Sequence, residues 1–467
     1  MSRQPMPDVI VLLPGILGSV LTKDGKDVWA PSAGAVLGGL MSLGSNVKAL
    51  ALDGDDPTVD DLGDGVAATR LAPDVHLIPY VWKIDGYSKV QAAITQFFDV
   101  REGQNFFTFP YDWRRDNRVA ARKLAAQSQR WLADWRQSSG NADAKLILIA
   151  HSMGGLVSRY FIEVLGGWRD TRALLTFGTP YRGSLNALQT LVEGVRKGPF
   201  GMVDLSAFVR SLTSMYQLLP IYPCYDHGAG RLERIGETSG IPNVDAERAR
   251  AALAFHREIR DAVTRNVQEA TDSTERYRIS PIVGIEQPTL QSARNGASNV
   301  EFLGSHDGRD DRGDGTVPRV SAAPIELGAD GAMYAGDRHA SLQNADPVLI
   351  QLKGFITNLY LPLGQFRAPL PTRAQLGLDL EDAYWSDQDV TFTVRSSRAG
   401  NQPIRAVVEN CADGERRGAA SLVIGSNGPA STRLKPLEPG VYRLRVSGDD
   451  TVDPVSDLFT VFDRATA

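Results

Sequence analysis

Residues 146–155 read LILIAHSMGG, a pattern that few folds accommodate. Leu146 to Ala150 is a run apolar on both faces, which predicts a strand buried inside a sheet. His151 and Ser152 follow, and two glycines then open the helical stretch GGLVSRYFIEVL. A strand that bends sharply into a helix lifts the residue at its apex out of the core. Here that residue is Ser152. Positions two before and two after the apex must be small, because the bend brings them against neighbouring backbone; they are Ala150 and Gly154. Gly155 lets the helix lie close to the sheet. The usual pattern has glycine at the first small position, so alanine is a departure. A serine that merely caps a helix is the plain alternative.

The rest of the chain suits such a sheet. Strand-like runs occur at Val9–Leu13, Asn105–Phe109, Leu146–Ala150, Ala173–Phe177, Ile279–Ile285 and Ala332–Ala335. Helical patterns such as NRVAARKLAAQSQRWLADWRQ lie between several of them, which predicts an α/β domain with a parallel sheet covered by helices. From about 184 to 275 the rhythm breaks. ALQTLVEGVRKG and DAERARAALAFHREIRDAVTRNVQEA read as helices with no strand between them, a cap inserted over the strand ends. AGAVLGGLMSLGSNVKALAL is apolar and rich in glycine, and is expected to join that cap; SMYQLLP is a second apolar cap segment. LPLGQFRAPLPTRA reads as a linker. Beyond it, DVTFTVRS and GVYRLRVSG alternate apolar and polar residues; with IRAVVENC, AASLVIGS and DLFTVFD they predict a small antiparallel β-sandwich, immunoglobulin-like by analogy. The expected division is 1–362, a linker at 363–374, and 375–467.

Length and charge agree with two domains: 467 residues with a formal charge of −5 and no basic face, which gives nucleic-acid binding no support. The two cysteines, Cys224 and Cys411, fall in different expected domains, so a bridge between them is not expected. The opening MSRQPMPDVIVLLPG lacks the longer apolar region of a secretory leader, and no run approaches the roughly 18 apolar residues of a membrane span. The expectation is a cytoplasmic protein, at most peripheral to a membrane.

A serine hydroxyl needs a base to become a nucleophile. In a strand–serine–helix architecture of this kind, an acid and then a histidine follow the serine in the chain. His76 precedes it, His151 adjoins it and points away from the apex, and His227 and His256 fall in the cap. His306 precedes the best acid. RDDRGDGTVPRV holds Asp314 between glycines in a loop, and MYAGDRHASLQ places His339 in the next loop, 25 residues on. Ser152, Asp314 and His339 are therefore the expected catalytic residues, with Asp310 or Asp311 as substitutes for the acid. The acidic cluster SHDGRDDRGDG also suggests calcium, but it lacks the spacing of an EF-hand loop. Acyl chemistry also requires two donors aimed at an oxyanion. The amide of Met153 is one; VIVLLPGILGS offers Ile16 as the other, with Leu17 second and beside the substrate.

VLLPGILGSVL, VWAPS, FFTFPYDWRRD, IAHSMGGLVSRYF, LLTFGTPYRGS and GDGTVP, in that order, resemble the lecithin:cholesterol acyltransferase family over roughly residues 8 to 358. The resemblance implies an α/β-hydrolase fold, a Ser152–Asp314–His339 triad and an oxyanion hole near Ile16 and Met153. It implies acyl esters of lipids as substrates, at a membrane surface, with no cofactor and no metal. By family analogy Trp113 helps shape the acyl pocket; a buried aromatic beside a strand end is its plain alternative. The terminal sandwich does not belong to the family pattern, and its sequence names no partner. Other readings are an esterase of small esters, a peptidase with the same triad, and an idle scaffold that binds partners through the sandwich.

Overall fold

The computed structural model describes every residue except 1–2, 31–48, 73–75, 79–81, 198–202, 270–276, 328–330, 361–372, 399, 426–427, 450 and 464–467. Its central sheet has six strands: β1 (Val9–Leu13), β2 (Phe106–Thr108), β3 (Leu146–His151), β4 (Thr171–Phe177), β5 (Arg278–Gly284) and β6 (Met333–Ala335). The spatial order is β2-β1-β3-β4-β5-β6, and every pairing is parallel. All residues of β1 and β3 are buried, which is why their sequences run apolar rather than alternating. Each of the six expected runs is a strand of this sheet. The fold is that of an α/β-hydrolase, as expected.

Helices cover the sheet in two groups. α1 (Ser88–Phe97) packs on α6 (Asp346–Asn358). In the other group, α2 (Asn117–Ser139) packs on α3 (Gly154–Arg159), which runs on into a π-helical turn over Tyr160–Val164 against α5 (Ala246–Glu269). α2 starts where the Asp116 carboxylate accepts the Arg118 amide, and it ends at Gly140, whose φ of 70° suits glycine. Such an N-cap contributes about 1 kcal/mol.

The inserted region is more broken up than expected, with further short helices at Ser206–Ser211 and Thr213–Gln217. α4 (Leu185–Glu193) stops five residues before the end of the predicted helix, because Gly194 takes φ 72° and turns the chain back. Arg196–Lys197 then pairs with Val203–Asp204. Tyr225–Asp226 and Leu232–Glu233 join Ser292–Asn295 and Val300–Leu303 in a four-stranded sheet. Two-residue strands leave no periodicity in a sequence, so "no strand between them" fails here. The expected apolar cap segment within 33–52 lies almost wholly outside the described residues, as does the linker apart from Arg373 and Ala374.

The terminal domain is a sandwich with its own core of Leu378, Phe392, Val408, Leu444 and Phe459, among others. One sheet has three strands: β7 (Leu376–Leu380), β9 (Val390–Ser396) and β12 (Ala430–Leu434). The other has five: β8 (Ala383–Trp385), β10 (Gln402–Asn410), β11 (Arg416–Ile424), β13 (Gly440–Ser447) and β14 (Val455–Phe462). The five predicted strands are present, with β7, β8 and β12 in addition; LGLDL, AYW and ASTRL are too short or too polar to signal themselves. All pairings are antiparallel save β8 with β14.

The two domains meet along a polar seam. Arg443 and Arg445 fall on the polar side of β13, as the alternation requires, but this side also faces the hydrolase domain. Arg443 forms a two-pronged pair with Asp85, and Arg445 lies 3.2 Å from Asp346 at the start of α6. Among the described residues no helix is long and apolar enough to cross a membrane.

Asp337 is buried at this seam, and burial raises its carboxyl from the usual 3.8 to about 7, although the Ser456 amide and Arg445 pull the other way. Between those values the folded chain holds a proton that the unfolded chain has released. Stability contributed by the neutral carboxyl is therefore lost as pH rises from about 4 to 7. Denaturant titrations should show Asp337→Asn flattening that decline and gaining stability at pH 8. A variant curve parallel to the parent's at every pH would contradict this assignment.

Candidate active site

β3 ends at His151 and α3 begins at Gly154, so Ser152 occupies the bend between them with φ 52°. A non-glycine residue in that region is strained by about 1–3 kcal/mol unless its surroundings hold it. They do. The Ser152 amide donates to Phe177 O at 2.8 Å, and the Thr179 hydroxyl donates to Ser152 O at 2.8 Å. Gly155 makes room for that hydroxyl, since a Cβ there would lie 2.1 Å from Thr179 Oγ1. Gly154 does the same for the end of β1: its Cβ would meet Pro14 O at 2.4 Å. The small residues expected around the serine are small because two neighbouring strand ends crowd the bend.

Ser152 Oγ lies 2.9 Å from His339 Nε2, and His339 Nδ1 lies 2.7 Å from Asp314 Oδ2. The other carboxylate oxygen of Asp314 accepts the amides of Thr316 at 2.9 Å and Val317 at 2.7 Å, so the acid is fully bonded inside the protein. With Nδ1–H donating to the carboxylate, the Nε2 lone pair is left facing the serine hydroxyl. The His339 amide also donates to Asp314 O at 2.9 Å, which ties the two loops together by backbone. Gly178, with φ 55°, lies beneath them; a Cβ there would come within 2.7 Å of Asp314 Oδ2 and 2.9 Å of His339 Nδ1.

The structure separates Asp314 from the other candidate acids. Asp310 accepts from Gln291, Asp311 pairs with Arg309, and His306 bonds Pro223 O. Among the described residues no group of carboxylates, histidines or cysteines is arranged to hold a metal ion.

The loop after β1 runs beside the serine: a Cβ on Gly15 would lie 2.8 Å from Ser152 Cβ. Among the described residues the amides of Ile16 and Met153 donate to no protein group. The loop is pinned through its other atoms. Tyr111 Oη donates to Pro14 O at 2.9 Å, and Trp29 Nε1 to Leu17 O at 3.0 Å, with Leu17 at φ 64°. Trp113 is fully buried; it donates to Ser19 O at 3.1 Å and meets Trp29 edge-on. Ile16 lines the cavity above Ser152, whereas Leu17 and Trp113 are not among the described residues that do. Leu17 is buried within the loop, and Trp113 keeps the plain role of a buried aromatic at a strand end. Arg114 and Arg115 of the same motif clamp residues 50–64 by ion pairs to Asp64 and Asp55.

The sequence reading gave no role to two residues. Tyr87 and His151 form a chain whose polarity follows from its ends. His151 Nε2 is 3.1 Å from His339 O, a carbonyl, and so must donate. Burial, reinforced by the nearby His339, lowers the His151 imidazole to about 3, so the ring is neutral and Nδ1 accepts. Tyr87 Oη, 2.9 Å away, donates to it and accepts the Gly15 amide at 2.8 Å. Burial pushes the Tyr87 phenol far up, which keeps it a donor. His151 does point away from the apex, into this chain. It joins the loop after β1 to the backbone of His339.

The cavity over Ser152 and His339 encloses about 270 Å³. Ile16, Pro180, Ala187, Met215, Leu218 and Val317 give it apolar wall, and Asn186, Gln189, Thr190 and Arg338 give it polar wall. Met215 and Leu218 come from the expected cap segment SMYQLLP.

Residues 79–234 match the family model of lecithin:cholesterol acyltransferase, and the resemblance read from the motifs is borne out over that segment. The rat protein named lysosomal phospholipase A and acyltransferase (Rattus norvegicus) is 28% identical over 181 residues, 38% of this chain and 41% of its own. The human protein of that name (Homo sapiens) is 29% identical over 174 residues, 36% of this chain and 40% of its own. The chain thus spans about two fifths of these relatives' length. A solved Bacillus licheniformis lipase in propeptide form covers 98% of this chain and 95% of its own at 10% identity, with a TM-score of 0.31. A superposition that loose says nothing about shared chemistry.

Tyr87→Phe would leave the Gly15 N–H and His151 Nδ1 buried without a partner. Urea denaturation should show a loss of about 1–3 kcal/mol. A loss below about 0.5 kcal/mol would mean that the chain does not hold the loop.

Proposed function

We propose that this protein is a serine acyl-hydrolase of lipid acyl esters, working through an acyl-enzyme on Ser152. The observation that carries this reading is the continuous hydrogen-bonded series from Ser152 Oγ through the His339 ring to Asp314, at 2.9 and 2.7 Å, at the floor of a partly apolar cavity. The named activity of the rat and human relatives, phospholipase A and acyltransferase, supports lipid esters as the substrate class.

In this reading His339 Nε2 takes the serine proton as Oγ attacks the ester carbonyl. Negative charge develops on the carbonyl oxygen, toward the free amides of Ile16 and Met153. The Oγ–C bond is kept, the ester C–O bond breaks, and His339 returns its proton to the departing alcohol. A water then gives its proton to His339 and its oxygen to the acyl carbon, which releases the acid and restores Ser152. An alcohol in place of that water makes a new ester, so transfer requires no further machinery. The Asp314 carboxylate, hydrogen-bonded to Nδ1, stabilises the imidazolium. In this reading a membrane surface supplies the lipid ester.

One observation favours a second reading, an esterase of short or polar esters. The cavity of about 270 Å³ is smaller than the roughly 300–1,000 Å³ usual for a drug-sized ligand, and polar groups share its wall. A series of esters of rising acyl length separates the two: turnover that peaks at acetyl esters would sink the lipid reading.

A fluorophosphonate should label the parent at Ser152, and Ser152→Ala should abolish both labelling and turnover with the fold intact. Asp314→Asn should reduce kcat by about 10⁴, because the carboxylate no longer sets the tautomer of His339. Activity within about tenfold of the parent in either variant would remove the triad assignment.

A further inference from the structure

The sandwich reaches the site itself. Asp382 and Asp457, both from that domain, line the cavity beside Arg338 and His339. The loop Gly336–His339 is held at three successive residues, the first by Gln287 of the hydrolase domain and the next two by the sandwich. Gly336 O accepts Gln287 Nε2 at 2.5 Å, the Asp337 carboxylate faces the Ser456 amide, and Arg338 donates to Leu378 O through Nε at 3.1 Å and Nη2 at 2.5 Å. Arg338 Nε also lies 3.0 Å from the buried carboxylate of Asp457.

Gln287 is fully buried and joins three parts of the molecule. Its Oε1 accepts the Leu378 amide of β7 at 2.9 Å, while its Nε2 serves Gly336 O and, at 3.3 Å, Leu376 O. Its backbone exchanges two hydrogen bonds with Gly313, next to Asp314, at 2.9 and 3.2 Å. The approach is close on the main chain too: a Cβ on Gly377 would lie 2.5 Å from Glu286 O. The loops bearing the histidine and the acid thus share one residue with a sandwich strand: the histidine loop through its side-chain amide and the acid loop through its backbone.

We propose that the C-terminal sandwich is a working part of the active site: through Gln287 and Arg338 it fixes the His339 loop, and it supplies one wall of the cavity. This rests on the hydrolase reading above. Gln287 and Arg338 are positioning residues in it. Their effect passes through the distance from His339 Nε2 to Ser152 Oγ, where a misplacement of about 1 Å costs on the order of 10² in rate.

The test uses the full-length chain. The rate of fluorophosphonate labelling reports how well His339 activates Ser152. The low-field proton resonance of His339 Nδ1–H reports its bond to Asp314. Gln287→Met and Arg338→Met should each slow labelling and kcat by about tenfold or more. For Gln287→Met, at a residue that does not line the cavity, KM should stay within about threefold, and in both variants the low-field resonance should shift or broaden. Arg338→Lys keeps a cation for Asp457 and a donor for Leu378 O, and should recover most of the lost rate. A general loss of stability would lower the folded fraction without moving the resonance of the molecules that remain folded. Should Gln287→Met not fold, the two Arg338 variants decide the matter alone. Labelling within about twofold of the parent, with an unchanged resonance, would overturn the proposal while leaving the hydrolase reading intact. A parent that takes no label at Ser152 would overturn that reading first, and this inference with it.

Discussion

A serine held at φ 52° between a buried strand and a helix is the constraint from which the rest of the site follows. The strain, of about 1–3 kcal/mol, has to be offset by neighbours that leave the bend no other shape. Phe177 and Thr179 at the end of β4 grip the serine's own amide and carbonyl, and Pro14 at the end of β1 closes on Gly154. Both neighbours flank β3 in the sheet, so the bend can be held only where β1 and β4 lie on either side. Parallel order, small residues and an outward serine are one requirement seen at three scales.

How much of this could be read from the sequence depends on the kind of interaction. The six strands of the central sheet were legible because strands buried on both faces must be apolar throughout, and their bounds shifted by at most two residues. Ser152, Asp314 and His339 were singled out because a strained turn and two loop ends at fixed chain order leave local marks: small residues, glycines, a histidine outside any helix. Tyr87 leaves no such mark. Its contact with Gly15 spans 72 residues, and only tertiary structure brings the two together. The same applies to Gln287, a polar residue in a loop whose amide is buried 49 residues from Gly336 and 89 from Leu376. Trp113 was legible as an important aromatic, but the resemblance put it at the acyl pocket, whereas it is buried at a strand end and bonds Ser19 O.

The sandwich illustrates a further limit. Alternation along GVYRLRVSG correctly separates Tyr442, Leu444 and Val446 from Arg443 and Arg445. It cannot say whether the polar side meets water or another domain. Here it meets Asp85 and Asp346, and Arg443 is largely removed from solvent by that contact. Ion pairs of this sort contribute little net stability, because removing the charges from water offsets much of their attraction. What they do contribute is register: a guanidinium facing a carboxylate in two-pronged geometry tolerates little sliding.

Register at the seam matters because the histidine loop lies in it. His339 is reached from two sides by hydrogen bonds of opposite origin. From the hydrolase side, the Gly15–Tyr87–His151 chain ends on its carbonyl. From the sandwich side, Leu378 and Ser456 hold the two residues before it, and Gln287, itself bonded to β7, holds Gly336. In the first chain every proton has one place to go: a neutral His151 can donate only at Nε2 once Nδ1 accepts from Tyr87. A reversed or half-formed arrangement would leave a buried group unpaired, at a cost of about 1–3 kcal/mol. The second set has no such single direction, but it crosses a domain boundary and ends on main-chain atoms of β7, whose position is set by the sandwich core. The imidazole is therefore placed from two domains at once, and its 2.9 Å contact with Ser152 depends on how those domains are seated on each other.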